Sequence, residues 1–227
     1  RTILDWEIQK LKHAKTAKEL KKYYEKKTQA VNLKSKYVYF PLHLQPELTS
    51  QPEAGYMEDQ QVALEMLLEA LPKGWKVFVK ENPRQFDHTL NTISGSLFRD
   101  KNDINKFTQD KRVILLPQNI KSEDLITNAQ ITVTLTGTAG WESLNLGKPC
   151  ITFGSPWYSP CRSCFIVETV NDIKKALSIS KKKNEVKTDV LKYLHFYQEQ
   201  LAIASLHSPS DVSYNSRNYD ELIHEHS

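Results

Sequence analysis

The chain has 227 residues, 39% of them hydrophobic and 10% aromatic, with three cysteines and a formal net charge of +4. That length holds one well-packed domain with appendages, or two small ones. No apolar run nears the roughly 20 residues of a membrane-spanning helix, no signal-peptide pattern is present, and three cysteines speak for a reducing, cytoplasmic setting over a disulfide scaffold. Of 31 basic and 27 acidic residues, 11 and 4 fall within residues 1–36, which leaves 20 and 23 for the rest. A mildly acidic body argues against nucleic acid as a partner.

The opening residues Leu4, Ile8, Leu11, Ala14, Ala17, Leu20 and Tyr24 recur at spacings of three or four. That is one apolar stripe of a helix with lysines on its other faces. It packs on a neighbouring domain or, in the sharper reading, meets anionic lipid as a peripheral contact at the inner membrane. The chain starts at Arg1 inside this charged helix and reads as part of a longer protein, with an N-terminal domain missing.

From Tyr37 the run YVYFPL is an aromatic, β-branched strand stopped by Pro41, followed by a polar loop to Tyr56. Asp59 to Leu71 reads as a helix with Val62, Met66 and Leu67 on its apolar side. WKVFV, from Trp75, is a second strand ending at Lys80-Glu81-Asn82-Pro83, before a long loop to about Asp110. RVILL is a third strand, and Ser122 is the expected N-cap of a helix Glu123–Ala129 with acids in its first turn. ITVTL and CITFG are the fourth and fifth strands. A short strand near Phe165–Val167 and a helix Asn171–Leu177 close the sheet. Val186, Val190, Leu194, Tyr197 and Leu201 then mark a last helix, and the tail beyond His207 is polar.

Strands that are apolar throughout and alternate with helices specify a parallel sheet covered on both faces. The expected architecture is α/β: a Rossmann-like nucleotide-binding domain over 37–178, a basic helical arm over 1–36, and a C-terminal helix and polar tail over 179–227. Ligands of such sheets bind beyond the carboxyl ends of the strands, where three loops fall. The third, Thr134 to Trp141, carries the strongest signal. Gly137 lets a ligand reach backbone N–H groups at a helix start, and Thr136 and Thr138 add hydroxyls. Thr138 is the expected N-cap, and Glu142 is placed in the first turn, where it meets the helix dipole or a ligand hydroxyl. Gly147 ends this helix and Pro149 prevents its continuation.

In the second loop Lys80 offers a cation suited to a phosphate, unless Glu81 beside it merely neutralises it. The first loop carries His43, Gln45 and Glu47, with Gln60 beyond it. A histidine so placed is structural or catalytic, and a carboxylate near a phosphate site serves group transfer as base or nucleophile. Cys161-x-x-Cys164 lacks the second pair or histidine cluster of a zinc site, so no metal is expected. Neither G-x-G-x-x-G nor a Walker lysine pattern occurs, which excludes the usual NAD and ATP sites.

Three blocks in order resemble the bacterial capsule and surface-polysaccharide biosynthesis family: YFPLHLQPELTS with Gly55, Tyr56 and Gln60; LPKGWKVFVKENP; and TLTGTAGWESLNLGKPCITFGSPWY. The resemblance covers roughly Tyr37 to Tyr158. It implies the carboxyl-terminal, nucleotide-binding half of a glycosyltransferase B-type fold, in a family that includes enzymes using CMP-Kdo. By that similarity Lys80, Glu81, Asn82 and Pro83 face the donor nucleotide at a lysine–glutamate–histidine–proline position. Thr136, Gly137 and Thr138 form the phosphate turn, with Glu142 as the acid after it, and Glu47 lies near the transferred sugar. The chain departs from the family at Asn82, where histidine is usual; an amide donates a hydrogen bond but carries no proton to a leaving group.

The implied function is glycosyl transfer from a nucleotide-sugar, CMP-Kdo among the candidates, to a glycan or glycolipid acceptor, with Glu47 and His43 as catalytic candidates and no further cofactor. Two alternatives stand beside it. One is a non-catalytic nucleotide-sugar, glycan or docking module; the other is a sugar-nucleotide epimerase-like enzyme.

Overall fold

In the computed structural model, residues 3–45, 59–87, 99–179 and 181–198 are described. The elements, in chain order, are α1 (Ile3–Lys27), β1 (Tyr37–Pro41), α2 (Gln60–Ala70), β2 (Lys76–Lys80), α3 (Lys101–Phe107), β3 (Val113–Leu115), α4 (Ser122–Asn128), β4 (Ile131–Thr134), α5 (Thr138–Asn145), β5 (Cys150–Thr152), β6 (Cys164–Ile166), α6 (Val170–Ser178) and α7 (Lys183–Gln198). The six strands form one sheet in the order β3-β2-β1-β4-β5-β6, and each neighbouring pair is parallel. The strand order reverses between β1 and β4, which opens a crevice at their carboxyl ends.

The sheet is apolar on both faces because adjacent residues of a strand point to opposite sides. Val38 and Phe40 of β1 join Val77, Val79, Leu64, Leu67, Ile104, Val133 and Ile173 in one core. Tyr37 and Tyr39 face the other way, onto Phe78, Leu116, Leu125 and Ile126. Both faces are thus roofed by helices, as the continuous apolar runs required.

A compact unit spans Arg1–Tyr193, and a second unit begins at Leu194; the latter is described only through the last residues of α7. In the first unit the rear half of α1 is built into the core. Ala17, Leu20 and Tyr24 are buried, whereas Leu11 is 69% exposed. The Tyr24 hydroxyl donates to Leu116 O at 2.6 Å and accepts from the Glu81 amide at 3.0 Å, which ties α1 to the segments just after β3 and β2.

Several local expectations change. The stretch read as one long loop holds α3 and a 3-10 turn, Pro83–Phe86. α3 begins with a reciprocal cap between Asp100 and Asp103, an acid-for-acid version of the capping box. Val62 is exposed, and Ala63, Leu64, Leu67 and Leu68 form the buried side of α2. Ser122 is the first residue of α4 and not its cap: Lys121 holds the cap position without a side-chain bond. The polar tail beyond His207 lies outside the described residues. Among those described, no helix is long and apolar enough to cross a membrane.

Candidate functional site

The crevice between β1 and β4 is lined first by His43, which follows β1 and is 6% exposed. Its backbone is clamped by Gln60: the His43 amide donates to Oε1 at 2.7 Å, and Nε2 of Gln60 donates to His43 O at 3.3 Å. The ring Nε2 shares a hydrogen bond with Thr134 Oγ1 at 2.9 Å. That same hydroxyl accepts from the Gly137 amide at 3.2 Å. A chain of contacts therefore runs from α2 through His43 and Thr134 to the turn. A Cβ on Gly137 would stand 2.8 Å from Thr134 Oγ1 and 2.9 Å from His43 Cε1. The missing side chain makes room for the imidazole, and the Gly137 N–H is already engaged within the protein.

Burial lowers the His43 pKa from 6.5 to about 4. A depressed histidine is neutral in the fold and becomes a proton acceptor on unfolding, so its contribution is complete above pH 6.5 and is lost as pH falls toward 4. Between pH 7 and pH 5 the wild type is expected to lose about 2 kcal/mol more stability than His43→Gln. Urea unfolding at the two pH values measures this, and equal losses would refute it.

α5 starts directly at this corner. Gly137 is its N-cap, extended at φ −74° and ψ 160°, and no side chain caps the helix. The expected Thr138 cap is thus displaced by one residue. The reason is that Gly140 donates the first turn bond to Gly137 O at 3.2 Å, so Thr138 already lies inside the helix. Glu142 consequently sits beyond the first turn. Its carboxylate receives the exposed Thr138 hydroxyl at 3.4 Å. The amides of Thr138 and Ala139 precede the first intrahelical bond and point out of the helix start, where partial positive charge collects. The helix ends as expected, with Gly147 at φ 78°.

The turn is braced from below. Tyr158, fully buried, donates its hydroxyl to Gly137 O. A Cβ on Gly140 would overlap that hydroxyl and stand 2.8 Å from two ring carbons. Around Tyr158 the rings of Trp141, Trp157 and Tyr193 collect: Trp141 and Trp157 have centroids 4.7 Å apart, and the Tyr193 hydroxyl donates to Trp157 O at 2.6 Å.

Lys80 and Glu81, expected as neighbours that could neutralise each other, have separate partners. Lys80 is buried, and its ammonium donates to Ile120 O and Ser122 Oγ, both at 2.8 Å. That occupies two of its three N–H bonds. Burial lowers its pKa while the Glu142 carboxylate acts against that shift. Ser122 is absent from the cap because its hydroxyl serves Lys80 and Tyr39. Glu81 instead meets Arg99 at 2.8 Å, with both side chains nearly sealed from solvent. Asn82 accepts from the Arg84 amide at 3.0 Å and caps the 3-10 turn that Pro83 opens. Its carbonyl accepts from Gln118 at 3.1 Å.

Of the residues named from sequence, the structure gathers His43, Gly137, Thr138 and Glu142 at one corner, with Lys80 in electrostatic reach through Glu142. Thr136 lies in the turn between β4 and α5. Glu81, Asn82 and Pro83 shape the loop after β2. Glu47 lies outside the described residues. Thr134, Tyr158 and Arg99 went unread, since each acts through a partner distant in sequence; the bulky Tyr158 so close behind a glycine-rich helix start was the one available cue. Cys150, Cys161 and Cys164 are free and buried, and among the described residues no cluster of histidine, cysteine or acid could hold a metal.

Residues 4–161 match the family described as "Capsule polysaccharide biosynthesis protein". Over 82 residues the chain is 35% identical to the capsule polysaccharide modification protein LipA of Neisseria meningitidis serogroup A, a segment that is 36% of this chain and 12% of that protein. The serogroup B protein gives the same figures. Among solved structures, the KpsC β-Kdo 2,7 transferase of Thermosulfurimonas dismutans is similar at 16% identity and a TM-score of 0.46, over 78% of this chain and 52% of that one. The UDP-GlcNAc 2-epimerase of Methanocaldococcus jannaschii, in complex with UDP-GlcNAc and UDP, is similar at 16% identity and a TM-score of 0.46, over 82% of this chain and 52% of its own. The chain therefore spans about half the length of these structures and far less of the curated relatives.

Proposed function

Because the chain belongs to the capsule polysaccharide biosynthesis family, we propose that it holds the nucleotide-sugar donor of a glycosyltransferase that assembles such a polysaccharide, CMP-Kdo being the first donor to try. One observation carries this reading: α5 starts without a side-chain cap at the point where the strand order reverses, so its first amides, Thr138 and Ala139, have no partner within the helix. A phosphate there would accept those amides, with Thr136 and Thr138 beside it, and the helix dipole would favour its charge. Lys80 would add a nearby positive charge through its remaining N–H. The same groups would steady the nucleotide as it leaves. In transfer, an acceptor hydroxyl attacks the anomeric carbon, the bond to the phosphate oxygen breaks, and Glu47 takes the hydroxyl proton. His43, neutral and engaged with Thr134, positions the turn.

The acceptor would be a glycan or glycolipid, and a further domain would complete the cleft. The lysines of α1 would favour an anionic bilayer on the cytoplasmic side. A second reading, a binding module without turnover, is favoured by Asn82, whose side chain is spent on capping Arg84 where a proton donor would be wanted.

The test uses titration calorimetry with CMP, UDP and GDP. Thr138→Pro removes one amide at a position where the first helical turn accepts proline and the preceding residue is already extended. Thr138→Ala keeps that amide. The proline variant is expected to bind nucleotide about tenfold more weakly than the alanine variant. Equal affinities would sink the amide seat. Transfer by the full-length protein that disappears with Glu47→Gln would separate the enzyme from the binding module.

A further inference from the structure

The two flanks of the α5 start differ in chemistry. Toward α4 stand Glu142, Ser122 and Lys80, all hydrogen-bonding groups. Toward the loop after β5 stands Trp141, one residue and about 100° around the helix from Glu142. Trp157 packs on it, and its indole is 50% exposed. It is held firmly all the same: tilted at 56° on Trp141, edge-on to Tyr158 at 5.5 Å and 89°, and 6.3 Å from Tyr193, whose hydroxyl fastens its carbonyl.

Leaving half an indole in water forgoes part of the largest apolar contribution any side chain offers. Three aromatic braces fix its direction, so the ring is presented and not merely left over. Tyr158 ties it to the turn from beneath, packing edge-on against Trp157 and bonding to Gly137 O.

We infer that the exposed face of Trp157 is a stacking platform for the sugar ring of the donor whose phosphate occupies the α5 start. This rests on the donor-binding reading above. A pyranose presents a face of weakly positive C–H groups that suits the negative face of an indole. The polar flank at Glu142 and Lys80 suits the hydrogen-bonding edges of ribose and base. A ligand anchored by phosphate between the flanks therefore places its nucleoside on one side and its sugar on Trp157.

The experiment compares CMP, UDP and GDP with the sugar-linked form of each, CMP-Kdo included, by calorimetry and indole fluorescence. In the wild type the sugar-linked form of the nucleotide that binds is expected to be held about tenfold more tightly than the bare nucleotide, and to alter tryptophan emission. Trp157→Ala should hold the bare and the sugar-linked nucleotide with nearly equal affinity; Trp157→Phe, which keeps an aromatic face, should retain part of the gain. A Trp157→Ala chain that keeps the tenfold preference overturns the platform, whether or not both affinities fall together. Failure of every nucleotide to bind would sink the phosphate seat instead, so the two failures are told apart.

Discussion

Arg99→Ala is expected to lower the unfolding free energy by about 3–5 kcal/mol, the largest loss among single substitutions near the crevice. The Glu81 and Arg99 side chains are 1% and 4% exposed and lie 2.8 Å apart. Glu81 also accepts the Asn82 amide at 3.0 Å, and the guanidinium stands 5.1 Å from the centre of the Phe107 ring. Removing the cation leaves a carboxylate in an apolar pocket with only a backbone amide to hold it. The cost comes from that stranded charge more than from the attraction itself.

A double variant therefore discriminates. Glu81→Leu with Arg99→Met removes both charges, and its loss should be well below the sum of the single losses. Urea unfolding of the four chains provides the cycle. A single-substitution loss under about 1 kcal/mol would mean that the pair behaves as a solvated surface contact, contrary to its burial. On the donor-binding proposal, nucleotide affinity should fall in step in the single variants, because Glu81 directly follows Lys80.

Gly140→Ala, usually a benign change inside a helix, is expected to cost about 2–3 kcal/mol. Helix propensity alone would favour alanine by about 1 kcal/mol. The added methyl would instead occupy the space of the buried Tyr158 hydroxyl. Tyr158 must then retreat from Gly137 O, and it is confined by Trp141 and Trp157. Tyr158→Phe in the Gly140→Ala background removes the overlapping oxygen, so it should restore part of the stability that it would cost in the wild type. A Gly140→Ala protein more stable than the wild type would show that the pocket gives way freely.

The fold was legible because its strands are short, mostly apolar runs, such as Tyr37–Phe40 and Val77–Val79, each followed by a loop of turn formers. Those runs leave a parallel sheet little alternative. α3 escaped notice since KNDINKF offers only Ile104 and Phe107 as apolar marks and begins on an aspartate pair. The site was legible in its glycine and threonines but not in its wiring. His43 and Thr134 are separated by 91 residues, and Lys80 and Ser122 by 42; no local pattern announces either contact. The α5 cap lies one residue before the threonine that the sequence pattern favours, because the carbonyl that starts the helix is fixed by Gly140 and Tyr158.

The hydroxyl of Tyr24 carries a practical lesson for anyone shortening this protein. It clasps the exits of β2 and β3 at once, and its ring lies 5.4 Å from that of Phe86. Trimming the lysine-rich leader back to Tyr37 would undo that clasp and strip a wall from the core. Whether its charges meet lipid is better asked by converting exposed Lys18 and Lys22 to glutamate, which changes the sign of the surface and spares the buried tyrosine.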